Sequence, residues 1–201
     1  WSVSEAGDVN GDGYDDFIVG ASAKDDERGA AYVIYGNSTS SLKDIDLSLT
    51  ALDPSETGFV IRGNADRDTF GWSVKNAGDI NKDGYDDVII KASNQVYVIY
   101  GNVTSSLKDI DLTSTTLNSA STGFTLRGNF NDYFGRALGT AGDVNGDGYD
   151  DIIIGAKRNY YDRGSVYVVY GNSTSSLKDI DLASTILDPA STGFTLRGNF
   201  N

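Results

Sequence analysis

One nine-residue pattern occurs three times in the chain and sets oxygen-bearing side chains at alternate positions. Its first copy, residues 8–16, has Asp, Asn, Asp and Asp at positions 1, 3, 5 and 9, with Gly at position 6. Alternate side chains of a tight loop turn inward, and the glycine permits the sharp bend that closes the loop. The pattern therefore predicts three loops that each surround a divalent cation.

The predicted ligand set consists of oxygens only, which favours one class of metal. Six to eight oxygens at flexible angles suit Ca²⁺ better than the smaller, rigidly octahedral Mg²⁺. The chain has no His and no Cys, which removes the typical zinc ligands. We expect three Ca²⁺ sites, each completed by the backbone carbonyl of a Tyr at position 7. The predicted ligands are Asp8, Asn10, Asp12, Tyr14, Asp16, Asp79, Asn81, Asp83, Tyr85, Asp87, Asp143, Asn145, Asp147, Tyr149 and Asp151.

The alternative to a metal site is an ordinary turn that binds no ion, because Asp, Asn and Gly are the commonest residues of turns in general. All three copies keep the four oxygen positions and the glycine, which favours a metal site. The loop is not an EF-hand, because position 12 is Val19, Ile90 or Ile154 where a bidentate Glu would stand. Each loop is followed by a β-branched run that predicts a buried strand, so the loop joins two strands.

Each repeat holds four strand candidates, one before the loop, one after it and two further along. In the first repeat the later two are residues 31–36 and 58–63, and in the second repeat the candidate before the loop is 70–74. Repeated units of four antiparallel strands are typical of β-propeller blades. We predict an all-β fold with three such blades, at 1–71, 72–135 and 136–201. A twelve-strand β-sandwich is the alternative.

Three blades are fewer than a closed propeller uses, which is typically about four to eight. Two large apolar blade faces would be left exposed, and such faces invite association. The chain contains no Met and begins at Trp1, which indicates a processed piece or an excerpt. We therefore expect the three blades to be part of, or half of, a six- or seven-bladed ring. The missing blades would come from the same or another chain, through self-association or a larger polypeptide.

Composition and charge exclude several functions. The net charge of −13 argues against nucleic acid or an anionic membrane surface as a partner. No apolar run approaches the length of a membrane span, so no membrane insertion is expected. Without His or Cys the chain lacks the usual general bases and the thiol nucleophile. We predict that this chain is not an enzyme.

Several motifs together resemble a known family. Phe-Gly at 70–71 and 134–135, the Asp-x-Asn-x-Asp-Gly-x-x-Asp loops, and Gly20-Ala21-Ser22 before a third strand resemble FG-GAP repeats. These repeats form the seven-bladed propeller of integrin α subunits and of many surface proteins. Here the Pro of the third motif is absent and the first unit lacks its Phe-Gly. The resemblance implies structural Ca²⁺ in the hairpins between strands one and two, in an extracellular or cell-surface scaffold for adhesion or ligand binding.

The resemblance also implies a ligand rim opposite the metal loops, where the connections from strand two to three and from strand four to the next blade lie together. The expected partner there is a protein or a glycan. Rims rich in Tyr, Arg and Asp are typical of binding surfaces, although solvated loops have a similar composition. The candidate rim residues are Asp25, Arg28, Arg67, Tyr133, Arg158, Tyr160, Tyr161 and Arg163.

The connection from strand three to strand four carries the sequence Leu-Lys-Asp-Ile-Asp-Leu in every unit, at 42–47, 107–112 and 177–182. We expect a structural segment that covers an outer blade edge, anchored by its Leu and Ile on its own blade or on the neighbour. Just before it lie three Asn-x-Ser/Thr sequences. They are candidate glycosylation sites in a secreted protein, at Asn37, Asn102 and Asn172.

The sequence favours a Ca²⁺-binding extracellular propeller module over two other functions. One is the repeat unit of a structural surface filament or sheath, which near-identical units with open apolar ends would permit. The other is the non-catalytic propeller domain of a secreted enzyme.

Overall fold

The structure, a computed structural model, describes residues 1–38, 44–48, 51–157 and 164–198. Its regular secondary structure consists almost entirely of β-strands, which turns and irregular segments connect. In chain order the elements are β1 (Ser2–Gly7), β2 (Asp16–Ala21), α1 (Lys24–Glu27), β3 (Ala30–Ile34), β4 (Gly58–Arg62), β5 (Val74–Gly78), β6 (Asp87–Ala92), β7 (Gln95–Ile99), β8 (Ile110–Asp111), β9 (Gly123–Arg127), β10 (Phe134–Gly142), β11 (Asp151–Ala156), β12 (Ser165–Val169), β13 (Ile180–Asp181) and β14 (Gly193–Arg197).

Within the described residues the strands form three sheets, and each sheet contains an antiparallel meander of four strands. The orders are β1-β2-β3-β4, β5-β6-β7-β9 and β10-β11-β12-β14. The first strand of the middle sheet, β5, contacts the first strands of both neighbours, β1 and β10. The sheets therefore follow one another around their innermost strands, as propeller blades do. This confirms the prediction of an all-β fold built of four-stranded blades.

The hydrophobic core lies between consecutive blades. Val88 and Ile90 of β6 are buried with Val33, Phe59 and other residues of the first blade. Ile89, which lies between them in the sequence, is buried with residues of the third blade. Successive side chains of a strand point to opposite faces of the sheet. A strand that packs on a neighbouring blade at each face must therefore have apolar side chains at every position, and this is why the sequence contains uninterrupted apolar runs.

The Phe-Gly dipeptide is not part of a strand in the second blade. The sequence predicted the first strand of that blade at 70–74, whereas β5 begins at Val74. Phe70 is fully buried between blades one and two, and its ring packs against the Tyr97 ring at a centroid distance of 5.3 Å and an interplanar angle of 63°. Gly71 has a φ of +85°, a backbone conformation that favours glycine. The chain turns here so that Phe70 can enter the junction before the strand starts.

Two short strands cross from one blade to the blade before it. β8 pairs in parallel with β4 of the first blade, and β13 pairs in parallel with β9 of the second. Both belong to the Leu-Lys-Asp-Ile-Asp-Leu segments, which we call straps. The prediction that these segments cover an outer blade edge is confirmed for 107–112 and 177–182, and the edge is that of the preceding blade. In the first unit only 44–47 of the strap lies within the described residues.

Helix is almost absent from the described residues. α1 is a single turn in which Asp25 and Asp26 have φ values of 50° and 55°, so it is a left-handed turn. Among the described residues no helix has the length and apolar character needed to cross a membrane.

Candidate metal centre

Each predicted metal loop connects the first two strands of its blade. In the first blade the loop leaves β1 at Gly7 and enters β2 at Asp16. The second and third loops occupy the same places between β5 and β6 and between β10 and β11. The three loops also share nearly the same internal hydrogen bonds, so one description serves for all of them.

The Asp at position 1 organises the loop through its carboxylate. Oδ1 of Asp8 accepts the backbone N–H groups of Gly11 at 2.7 Å and Asp12 at 3.0 Å, and Oδ2 accepts that of Gly13 at 2.9 Å. Asp143 makes the equivalent three bonds at 2.7, 3.0 and 2.8 Å. The carboxylate therefore lies inside the bend, as a position-1 ligand would.

Positions 3 and 5 also turn their oxygens towards the loop backbone. Oδ1 of Asn10 accepts the N–H of Asp12 at 2.9 Å, and Oδ1 of Asp12 accepts the N–H of Tyr14 at 2.9 Å. Asn and Asp side chains commonly bond the backbone two residues further on in this way. The side chains at positions 1, 3 and 5 thus share the concave side of the loop.

The Asp at position 9 is buried and fixes the loop to the sheet. Oδ2 of Asp16 accepts the N–H of Val9 at 3.0 Å, and Oδ1 accepts the N–H of Gly36, just after β3, at 2.8 Å. Asp87 and Asp151 make the same pair of bonds. Burial raises the pKa of Asp16 to about 7, and the nearby charges of Asp12 and Asp8 add to the shift. Burial likewise raises the pKa of Asp87 and Asp151.

The donor chemistry of the loops suits a hard cation, although the side chains are not gathered around one point. Within the described ranges, no group of three or more acidic side chains is arranged so that it could hold a metal ion, because the loop carboxylates face backbone N–H groups. In the same ranges, the two ion pairs are Arg28–Asp111 and Arg62–Asp109, and neither neutralises a loop carboxylate. Each loop therefore offers three uncompensated carboxylates, an amide oxygen and a carbonyl, which is the ligand chemistry of Ca²⁺.

The Asp at position 8 of the loop, for which the sequence predicted no role, connects neighbouring blades. Oδ2 of Asp86 accepts the N–H of Asp8, in the loop of the preceding blade, at 2.9 Å. Asp150 holds the N–H of Asp79 in the same way at 3.0 Å. The available signal was the Asp-Asp pair that closes every copy of the pattern. Only the second Asp of each pair was assigned a role.

The connections of the predicted ligand rim lie side by side where the structure describes them. The N–H of Thr69 donates to the carbonyl of Glu27 at 2.7 Å. This bond joins the connection from the first blade to the second, which contains Thr69, to the connection between β2 and β3, which contains Glu27. Arg28 is committed within the protein, because its guanidinium binds the carbonyl of Gly63 and the carboxylate of Asp111.

The other predicted rim residues differ in their surroundings. Asp25 and Arg67 are exposed. Tyr133 is 41% exposed, and the Arg136 guanidinium lies 5.1 Å from the centre of its ring. Four predicted rim residues lie outside the described residues, namely Arg158, Tyr160, Tyr161 and Arg163.

The three candidate glycosylation sites follow the third strand of each blade. Asn37 is exposed, whereas Asn102 and Asn172 are half-buried. The backbone N–H groups of Asn102 and Asn172 donate to the carbonyls of Val9 and Ile80, in the predicted metal loops of the preceding blades, at 2.9 and 3.0 Å. The two half-buried sites thus adjoin a junction between blades.

Comparison with known proteins gives consistent results. The sequence matches the FG-GAP repeat family at residues 1–34, 70–99 and 134–169. It is 30% identical over 162 residues to integrin alpha-4 of Xenopus laevis, covering 75% of this chain and 14% of that protein. Integrin alpha pat-2 of Caenorhabditis elegans is 33% identical over 168 residues, covering 74% of this chain and 12% of that protein. Integrin alpha-6 of Homo sapiens is 28% identical over 157 residues, with coverages of 74% and 12%.

The chain therefore spans only a small part of the length of these relatives. Each of the three family matches begins at or just before the first strand of a blade and ends in or at the end of its third strand. Sequence, fold and comparison agree that this chain belongs to the FG-GAP repeat proteins and is similar to part of the integrin alpha subunits.

Proposed function

We propose that this chain is a Ca²⁺-binding propeller module of an extracellular or cell-surface protein, and that it serves as a non-enzymatic scaffold for adhesion or ligand binding. The observation that carries the proposal is the set of three equivalent loops, each with an oxygen-only donor set on its concave side. The similarity to integrin alpha subunits supports the cell-surface setting. A protein or glycan ligand would meet the rim opposite the loops.

In each loop the residues at positions 1, 3, 5 and 9 and the carbonyl of the Tyr at position 7 would hold the ion. Asp8, Asn10, Asp12 and Asp16 would exchange some of their bonds to loop N–H groups for bonds to the cation. When bound, Ca²⁺ supplies positive charge that offsets the mutual repulsion of three carboxylates in one bend. The loop side chains position these oxygens, and the buried Asp at position 9 connects the site to strand three.

Binding to the folded form alone adds RT ln(1 + [L]/Kd) to the free energy of unfolding. Sites of extracellular modules commonly have Kd values of about 10⁻⁴ to 10⁻³ M. At several millimolar Ca²⁺ each site then contributes roughly 1–2 kcal/mol. Three sites acting together would raise the melting temperature of this chain markedly.

Calorimetric titration of the chelated chain with CaCl₂ tests the proposal, together with melting curves in EGTA and in Ca²⁺. We expect three ions per chain and two in each of the variants Asp12→Ala, Asp83→Ala and Asp147→Ala. Asp15→Ala is the matched control, because it removes a carboxylate from the first loop at a position that is not a predicted ligand. A chain that takes up no Ca²⁺ and melts at the same temperature in both buffers would contradict the proposal.

A further inference from the structure

The second predicted metal loop differs from the other two by one residue that carries a positive charge. Position 4 is Gly11 in the first loop and Gly146 in the third, whereas it is Lys82 in the second. No other residue of the three nine-residue patterns is a Lys or an Arg. The backbone of Lys82 has a φ of +60°, close to the +73° and +76° of the two glycines. The second loop thus keeps the shape of the others, and the lysine adds a side chain and a charge to it.

The Lys82 side chain crosses from its own loop to the third one. Its Nζ lies 5.4 Å from the centre of the Tyr149 ring, within the range of about 6 Å for a cation–π contact. It also lies against the backbone of Gly148, where an added Cβ would overlap the ammonium group. Gly148 and Tyr149 are positions 6 and 7 of the third loop. The ammonium therefore stands beside the bend that is predicted to hold an ion.

The first and second loops meet in the same way but without a charge. A Cβ added to Gly11 would overlap Cε1 of the Tyr85 ring, so position 4 of one loop again faces position 7 of the next. Gly11 and Lys82 therefore stand at equivalent contacts between consecutive loops. The second loop receives a glycine from its neighbour, and the third loop receives an ammonium group.

The Lys82 ammonium acts on the predicted ligands of the third loop through space. Within the described ranges both ion pairs lie elsewhere, so the ammonium is not paired with a loop carboxylate. The N–H of Gly148 donates to Oδ2 of Asp143 at 2.8 Å, and the N–H of Tyr149 donates to Oδ1 of Asp147 at 3.0 Å. The two residues that the ammonium touches are thus bonded to the ligands predicted at positions 1 and 5. A positive charge beside them repels a divalent ion in the bend and attracts the carboxylates when no ion is bound.

We propose that Lys82 lowers the Ca²⁺ affinity of the third loop and partly neutralises that loop in the cation-free chain. A residue of one blade thus sets the affinity of the site in the next blade. The effect on affinity rests on the proposed function, whereas the effect on the cation-free chain requires no bound ion. One positive charge at about 8 Å from a divalent ion weakens its binding roughly sixfold in water. At about 0.1 M ionic strength, screening reduces this factor to about two.

Site-resolved titration of the full chain with CaCl₂ tests the effect on affinity. Labelling with ¹⁵N-glycine makes the amides at position 6 of the three loops visible by NMR, and these are Gly13, Gly84 and Gly148. At low ionic strength, Lys82→Gln should lower the Kd that Gly148 reports by about two- to sixfold. The Kd that Gly13 reports should not change. Lys82→Arg keeps the charge and should retain the native Kd, and Lys178→Gln, at an exposed position of a strap, controls for the loss of one charge.

The titration distinguishes a failure of this role from a failure of the proposed function. If the amide of no loop glycine responds to CaCl₂, the proposed function is wrong, and the effect on affinity is wrong with it. If the glycines respond but Lys82→Gln leaves the Kd of Gly148 unchanged, or changes that of Gly13 equally, only the role of Lys82 is wrong. A difference that persists undiminished in about 0.5 M NaCl would also contradict it, because salt screens charges that are exposed to solvent.

Urea unfolding in EGTA tests the cation-free chain separately. Lys82→Gln removes the positive charge beside the third loop, so this variant should unfold at a lower urea concentration than Lys82→Arg. In saturating CaCl₂ the difference should become smaller or change sign, because the Gln variant binds the ion more tightly and gains more stability from it. Equal unfolding midpoints of the two variants in EGTA, or the same difference in both buffers, would overturn the proposal.

Discussion

The carboxylate of Asp86 accepts the backbone N–H of Asp8 at 2.9 Å, and the N–H of Asp86 donates to the carbonyl of Asp8 at 3.1 Å. This two-way contact crosses the junction between the first two blades. Asp8 is also the residue whose carboxylate organises the first loop. The contact therefore joins the second loop to the first predicted ligand of its neighbour, and Asp150 and Asp79 repeat it at the next junction.

Replacement of Asp86 by Ala should destabilise the chain, because it leaves the part-buried N–H of Asp8 without its acceptor. Such a loss costs about 1–3 kcal/mol. Asp86→Asn keeps an oxygen acceptor and should cost less. Urea unfolding, followed by circular dichroism in EGTA, measures these differences without any contribution from Ca²⁺.

The first blade supplies the control for this prediction. Asp15 occupies the same loop position but is exposed, and no blade precedes it in the described residues. Asp15→Ala should therefore change the free energy of unfolding by less than about 0.5 kcal/mol. If Asp15→Ala and Asp86→Ala were equally destabilising, the contact with Asp8 would not be the cause.

The strand pattern and the hairpin loops were predictable from the sequence because both depend on local features. A β-branched run such as Ile152-Ile153-Ile154 predicts a strand wherever it lies, and β11 contains it. The alternation of Asp, Asn and Gly likewise predicts a bend without reference to distant residues. These features recur three times, which made the four-stranded blade evident.

The contacts between blades were not predictable, since they depend on which of two similar blade edges a segment meets. The strap sequence gives no sign that Asp109 bonds Val60 of the preceding blade instead of Thr125 of its own. Phe70 reads as part of a strand, yet burial between blades takes it out of the sheet. Near-identical repeats offer each segment several equivalent partners, and only the assembled fold distinguishes them.

Replacement of Gly20 by Ala should disrupt the junction between blades one and two. A Cβ at this position would lie 2.1 Å from the carbonyl oxygen of Gly71, and backbone atoms cannot move aside without shifting the turn that places Phe70. Overpacking of this kind typically costs about 1–3 kcal/mol. Thermal unfolding at fixed Ca²⁺ concentration measures the loss.

The third blade again provides the comparison, because Gly155 occupies the position of Gly20. A Cβ on Gly155 would lie 3.2 Å from Cβ of Ala137 and meet no backbone atom closer than 3.7 Å. Gly155→Ala should therefore cost clearly less than Gly20→Ala. Equal losses would show that the effect arises within the strand and not at the blade junction.

Replacement of Asp109 by Ala should open the outer edge of the first blade locally. The side chain accepts the N–H of Val60, so its loss should speed hydrogen exchange at that amide and lower the free energy of unfolding by about 1 kcal/mol. Amide exchange followed by NMR resolves the site. Lys108→Ala is the control, because Lys108 lies in the same strap and is exposed. Unchanged exchange at Val60 in the Asp109 variant would contradict the strap contact.

Replacement of Lys91 by Met should stabilise the chain and remove part of its pH dependence. Lys91 is 7% exposed, and its ammonium donates to the carbonyl of Ser93 at 2.7 Å. Burial lowers the pKa of Lys91 from 10.5 to about 8, and the charge of Arg136 adds to the shift. Between these values the unfolded chain binds more protons than the folded one, so the Lys91 contribution to stability rises with pH over that window.

Lys91→Met should be more stable than the native chain at pH 7, by on the order of 1–2 kcal/mol. That advantage should shrink as the pH approaches 10. Urea unfolding at both pH values gives the two differences, with Lys178→Met as the control for the loss of one surface charge. An advantage of the Lys91 variant that does not change between pH 7 and pH 10 would show that packing, and not the buried charge, sets the stability at this position.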